Sequence, residues 1–223
     1  MHNHNITLVF TSHSESGKCT SSEFSKIISK INPEVIFEEL SSFGFNLFYN
    51  ENKSNSLETK AIKMYLQNSE ARHIPVDNYD IRKCQKIKKD IDYLFDLFES
   101  NIDYRKLKSE SIMMKTQGGF KYLNSEQCSE MFERINDMEQ SILRNINNEK
   151  YTLDYKSWLI ILDERENEMI RNIYNYCEVH KFNKGLFYIG AWHRKSIIRK
   201  IYKSSEVEKL KINWNYNKCC DIL

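Results

Sequence analysis

Proline and glycine are scarce in this chain, at 2 and 6 of 223 residues. No Pro- or Gly-rich linker therefore divides it. The length suits one core-bearing domain with an insertion better than two separate domains. Long apolar runs are missing as well. Nothing approaches the ~20 apolar residues of a membrane span. The short run from Ile6 to Phe10 is too brief for the core of a signal peptide, and no basic segment precedes it. These absences predict a cytoplasmic protein with no membrane partner. An excess of one charge is also lacking: 33 basic and 31 acidic residues leave a net charge of +2. A nucleic-acid binder carries a basic excess on one face, so no nucleic-acid partner is expected. Lys83, Lys86, Lys88 and Lys89 read as the solvated face of a helix. The 6 cysteines, at 19, 84, 128, 177, 219 and 220, form no Cys-x-x-Cys pair. That excludes a zinc ribbon and a redox dithiol and predicts free thiols. Cys220-Asp221-Ile222-Leu223 has the spelling of a prenylation box, and is read as a frayed tail. No internal repeat is found.

What is present argues for a packed core. Hydrophobic residues make up 40% of the chain and aromatics 13%, which excludes disorder. Ile6-Thr7-Leu8-Val9-Phe10 reads as a buried first strand, followed by a polar loop from Ser12 to Cys19. Thr20 and Glu23 form a capping box, and Phe24, Ile27, Ile28 and Ile31 give the stripe of the helix it opens. Asn32-Pro33 ends that helix, because the residue before proline avoids the α region. Glu34 to Leu40 is a second strand. Strand, helix and strand over this length form a βαβ unit, so the first pair should be parallel. A helix from Ser56 to Ala71, with Leu57, Ala61, Met64 and Tyr65 on one side, leads to a third short strand, His73 to Asp77. Its Pro75 marks an edge or a strand start.

The middle changes character. Cys84, Ile87, Ile91, Leu94, Phe98 and Ile102 step by three or four residues. So do Cys128, Phe132, Ile135, Met138, Ile142 and Ile146. With a loop around Gly118-Gly119 between them, they predict a helical hairpin inserted at 81–150. The first α/β half, 1–80, and the second, 151–223, complete one domain around it. In the second half, Trp158, Ile161, Leu162, Arg165, Met169, Ile173 and Cys177 share a helical stripe. Gly185 to Gly190 is a buried strand, and His193 to Tyr202 a final helix. The tail adds a strand through Leu210 to Trp214. The fold class is α/β, with a mainly parallel sheet flanked by helices and a long helical hairpin inserted.

Chemistry concentrates at the ends of strands. His13 follows strand one, Glu39 ends strand two, Asp77 ends strand three and His193 follows the last strand. A parallel sheet gathers all strand carboxyl ends at one rim, where ligands bind. Taken singly, each histidine reads as a loop residue and Asp77 as a turn cap. His2, His4, His73 and His180 have no functional reading, and the terminal pair His2 and His4 is expected to be disordered. Strand alternation splits Glu38 from Glu39, so one of them faces the covered side of the sheet. Arg165 occupies an apolar stripe position. Its guanidinium either finds a carboxylate at the rim or reaches water while its stem packs. Gly190 lets the chain turn off its strand or lets a backbone approach. His193 then opens a helix, whose positive end favours neutral imidazole, the form of a base or a metal ligand.

These residues resemble the TraB/PrgY, Tiki, ChaN-like and erythromycin-esterase superfamily. Its pattern is a strand ending in Gly-x-x-His, a strand ending in Glu, an Arg-bearing helix with acidic and Met positions, and a last strand ending in Gly-x-x-His. Leu8 to His13, Pro33 to Leu40, Asp163-Glu164-Arg165-Glu166-Asn167-Glu168-Met169 and Tyr188 to His193 are similar to these in order. The helical insertion is unmatched, and Phe10 stands where the first motif has glycine. The resemblance implies a hydrolase acting on an amide or ester of a small molecule or peptide. His13, Glu39, Arg165 and His193 would be its catalytic residues. A divalent metal, manganese or zinc, would be held by His13, Glu39 and His193 with an open position for water. The alternative is a non-catalytic module that binds a peptide, a small molecule or haem in the same pocket.

Overall fold

The computed structural model describes residues 3–53, 56–78 and 85–216. Five strands, β1 (His4–Thr11), β2 (Val35–Glu38), β3 (Arg72–Pro75), β4 (Lys184–Gly190) and β5 (Ile212–Asn215), form one sheet in the order β3-β2-β4-β1-β5. Every pairing is parallel. The chain is thus an α/β protein with its sheet flanked by helices. β1, β2 and β4 read as continuous apolar runs because both faces of a parallel sheet are covered. Pro75 is tolerated because β3 is an edge strand.

Helices α1 (Ser21–Ile31), α2 (Ser42–Phe45) and α3 (Leu57–Leu66) lie in the first half. The side chain of Thr20 caps α1 by accepting from Glu23 N–H at 3.1 Å, and Asn32 ends it in the left-handed conformation at φ 51°. A short π-helical turn, Asn46–Asn50, follows α2. The sheet's two faces are covered differently. Tyr188 and Glu38 are register partners, and Phe24 of α1 packs edge-on against Tyr188. Phe37 and Phe187 point to the other face, where Tyr176 of helix α7 (Glu149–Val179) meets Phe37.

The middle of the chain departs from the expected hairpin. Helices α4 (Gln85–Glu99), α5 (Ile102–Leu123) and α6 (Glu126–Ile146) precede α7, which runs across the expected boundary at 151. Gly118-Gly119 is no loop between two helices but a break inside α5, where Gly119 takes φ 58° and ψ −144°. Much of α5 between Leu107 and Gly119 is exposed or half-buried, so it carries no clean apolar stripe to read. Ile102 starts α5 and is exposed rather than closing the stripe of α4. Leu94, Phe98, Tyr104, Met131, Ile135 and Tyr155 form a second buried cluster, separate from the one around the sheet. Cys84 and the side chain of Ile87 lie outside the described residues, as do Lys83, the side chain of Lys86 and the tail 217–223 with its Cys220-Asp221-Ile222-Leu223. Among the described residues no helix is long and apolar enough to cross a membrane.

Two smaller expectations are corrected. His4 is not in a disordered terminus. It is the first residue of β1, buried, with Nδ1 at 3.0 Å from the Phe182 carbonyl. The helix expected to reach Ala71 ends at Leu66, and its Met64 is exposed.

The helical segment grips the first strand at two points. Past the end of β5, the Phe10 N–H and carbonyl are taken by the Asn124 side chain at 2.9 and 3.0 Å. The loop after β1 docks on the break in α5. Lys18 N–H donates to the Thr116 carbonyl at 3.0 Å, and a Cβ on Gly17, which has φ 52°, would sit 2.3 Å from that oxygen. Only glycine fits there. Replacing Asn124 by Ala strands a buried N–H and carbonyl of β1. It should cost about 1–3 kcal/mol, read from urea midpoints, and a midpoint equal to wild type would show that water or a shift of α5 replaces the contact.

Candidate functional site

The parallel sheet brings the sequence-distant residues to one rim. Thr11 and Gly190 are register partners at the ends of β1 and β4, and Glu38 and Pro75 at the ends of β2 and β3. The ladder continues one step: Val76 N–H donates to the Glu38 carbonyl and Asp77 N–H to the Leu40 carbonyl, both at 3.0 Å. Glu39 and Asp77 therefore emerge side by side, each almost fully buried.

Arg165 of α7 reaches both. Its Nε and Nη2 donate to Asp77 Oδ2 at 3.1 and 2.7 Å, and Nη2 also donates to Glu39 Oε1 at 3.0 Å. Its side chain is only 17% exposed, so the head does not reach out to water; the stripe position brings it onto carboxylates instead. α7 holds the same stretch through Asn172, whose amide donates to the Val76 carbonyl at 2.9 Å. The second Glu39 oxygen accepts from Gly190 N–H at 2.7 Å. Gly190 has an ordinary backbone, φ −54° and ψ 138°. Its absent side chain leaves Glu39 Oε2 and His13 Nε2 3.5 and 3.6 Å from the place of a Cβ.

His193 ends a 3-10 turn, Ala191–His193, and begins helix α8 (Arg194–Lys203), as its sequence position predicts. Its Nδ1 lies 2.6 Å from Glu166 Oε1 and its Nε2 3.6 Å from Glu39 Oε1. Glu166 is further held by Ser196 Oγ at 2.6 Å and Lys200 Nζ at 3.1 Å. Burial pushes the Glu166 carboxyl up, but the hydrogen bond and charge of His193, with Ser196 and Lys200, hold it below its ordinary value. A carboxylate accepts only, so Nδ1 of His193 carries the proton. His13 lies in the exposed loop after β1, with Nδ1 3.6 Å from Glu58 Oε1 of α3. Its side chain is 66% exposed; pairing with Glu58, with the charge of Glu39 helping, raises its pKa to about 9 against the charge of Arg165.

On the α1 face of the sheet stands a second polar cluster. Glu38, fully buried, accepts from Tyr49 Oη at 2.7 Å and Tyr188 Oη at 3.0 Å, and His73 Nδ1 lies at 2.8 Å. Both adjacent glutamates are thus buried, each with its own partners, where alternation had predicted one inward.

The expected metal set fits poorly. Both oxygens of Glu39 already accept, one from a guanidinium. The Arg165 cation already engages Oε1. Glu58 pushes the His13 pKa up, which opposes ligation, since imidazole must lose its proton to bind a metal. Among the described residues no group of His, Cys, Asp and Glu is arranged to hold a metal ion. His13, Glu39 and His193 as they stand do not fit manganese or zinc. The described cysteines 19, 128 and 177 are buried, and burial raises their thiols to about 11, 12 and 12, so they offer no thiolate nucleophile.

Glu166, Glu58, Glu38 and His73 join the picture only in three dimensions. Glu166 sits beside Arg165 in the acidic run of α7. Glu58 had one readable signal: it lies three, four and seven residues before Ala61, Ile62 and Tyr65, on the buried stripe of α3. Comparison with family models, with curated proteins and with solved structures gives no match.

Arg165→Ala leaves Glu39 and Asp77 buried without their shared cation. It should destabilise by about 3–5 kcal/mol in denaturant titrations at neutral pH. Arg165→Lys should recover only part, since one ammonium cannot match the guanidinium's fork. A wild-type midpoint for Arg165→Ala would mean the carboxylates are satisfied without it.

Proposed function

We propose that the chain is a hydrolase that cleaves an ester or amide with water activated by the side chains at the sheet rim. The observation that carries this reading is His193, with Glu166 on Nδ1 at 2.6 Å and Nε2 turned toward Glu39. An imidazole braced in this way keeps Nε2 as a base, and the carboxylate stabilises the imidazolium that forms. In this reading His193 takes a proton from water, and Glu39 orients that water. His13 delivers a proton to the leaving group. Arg165 fixes Glu39 and faces negative charge that develops in the transition state. These steps call for no metal. The substrate is a small molecule or a peptide, and the resemblance to the erythromycin-esterase and Tiki superfamily points the same way.

The test is a screen of model esters and short peptides with wild type and His193→Ala, each with chelator, manganese or zinc. Turnover that survives chelator and falls by about 10²–10⁴-fold in His193→Ala is expected. Folded wild type without turnover would speak for a ligand-binding module instead. Turnover that appears only with added metal would contradict the metal-free reading.

A further inference from the structure

Glu58 is the buried acid that the proposed chemistry leaves unused. It sits in the first turn of α3, is 1% exposed, and neither carboxylate oxygen has a hydrogen-bond partner among the described residues. A buried carboxylate in that state demands a positive counterpart. The nearest is His13, whose Nδ1 is 3.6 Å from Oε1. The same turn holds the His13 backbone, since Leu57 N–H donates to the His13 carbonyl at 3.3 Å. The far ring nitrogen of His13 reaches Gly190: it lies 3.6 Å from the place of a Cβ there, and Glu39 Oε2 lies 3.5 Å from the same point.

We propose that Glu58 is the positioning residue of His13. Its carboxylate pairs by charge with the Nδ1 side of the imidazole, at 3.6 Å against 2.6 Å for Glu166 and His193, and so turns Nε2 toward Gly190 at the rim. The rim then carries two histidines paired with carboxylates, His193 with Nε2 3.6 Å from Glu39 and His13 with Nε2 against Gly190. The charged groups facing His13 are Glu58 from α3, Glu39 past β2 and Arg165 from α7, while Lys115 of α5 bonds the neighbouring Ser12. Burial pushes the Glu58 carboxyl up, and the pairing with His13 outweighs it and lowers the carboxyl below its ordinary value. With His13 raised, each partner keeps the other charged. A braced, protonated His13 suits the acid and His193 the base, which gives two histidines distinct tasks.

The catalytic use of this pair rests on the hydrolytic reading; the pairing itself does not and is read without substrate. Long-range proton–nitrogen correlation spectra of the histidine rings report protonation directly, with His13 assigned by its loss in His13→Gln. In the full wild-type chain His13 should keep its Nδ1 proton and titrate near 9. Glu58→Gln should bring the midpoint down toward the ordinary value of about 6.5, with Glu58→Asp in between. A wild-type His13 that titrates at the ordinary value overturns the proposal, as does a midpoint unmoved by Glu58→Gln. If Glu58→Gln does not fold, wild type and Glu58→Asp decide by the same criterion. A paired His13 in a chain without hydrolytic activity would sink the hydrolase reading alone. An active hydrolase with an unpaired His13 would sink this one alone.

Discussion

One guanidinium between two carboxylates organises the rim of this sheet. Glu39 and Asp77 leave neighbouring parallel strands at the same height and are both buried, so their like charges must be compensated where they stand. Arg165 meets both and thereby ties α7 to the carboxyl ends of β2 and β3. The next residue along α7, Glu166, then lies against His193, which follows β4. The ion pair that closes the helix onto the sheet therefore also sets the orientation of an imidazole. Stability and site geometry share the same atoms, which makes the rim costly to alter piecemeal.

The helical segment serves this arrangement from the other side. α5 is broken at Gly119, and the break receives the loop that carries His13. Asn124, just beyond α5, occupies the polar edge of β1 where β5 no longer pairs with it. The segment has an apolar cluster of its own, so it presents these contacts from packed helices rather than from a floppy excursion. α3 adds a third support, with Leu57 N–H on the His13 carbonyl and Glu58 3.6 Å from Nδ1 of its ring.

The sheet and its rim were legible in the sequence because their signals are local and periodic. The apolar run at Ile6–Phe10, the cap at Thr20 and the stop at Asn32-Pro33 define a βαβ unit, and parallel strands dictate that His13, Glu39, Asp77 and His193 share an edge. Arg165 announced itself by breaking an apolar stripe. A simple hairpin is not clearly shown, because α5 lacks a stripe and because a glycine pair signals a backbone break without saying whether a loop or a kink follows. Glu166 was hidden for a different reason. A glutamate on a helix is ordinary, and only the fold reveals which one is buried against a histidine. His4 was misjudged from its place in the chain, whereas the carbonyl of Phe182 supplies the partner that buries it.

The central claim is that Glu39 and Arg165 act as one electrostatic unit at the end of the sheet. A double-mutant cycle with Glu39→Gln, Arg165→Met and the double variant, followed by denaturant unfolding at neutral pH, measures that directly. The account predicts a coupling of about 2–3 kcal/mol, the upper part of the range for contacting residues. The double variant should accordingly be less destabilised than the sum of the singles. Additive losses would contradict it, because they would mean that the guanidinium and the carboxylate are buried independently of each other.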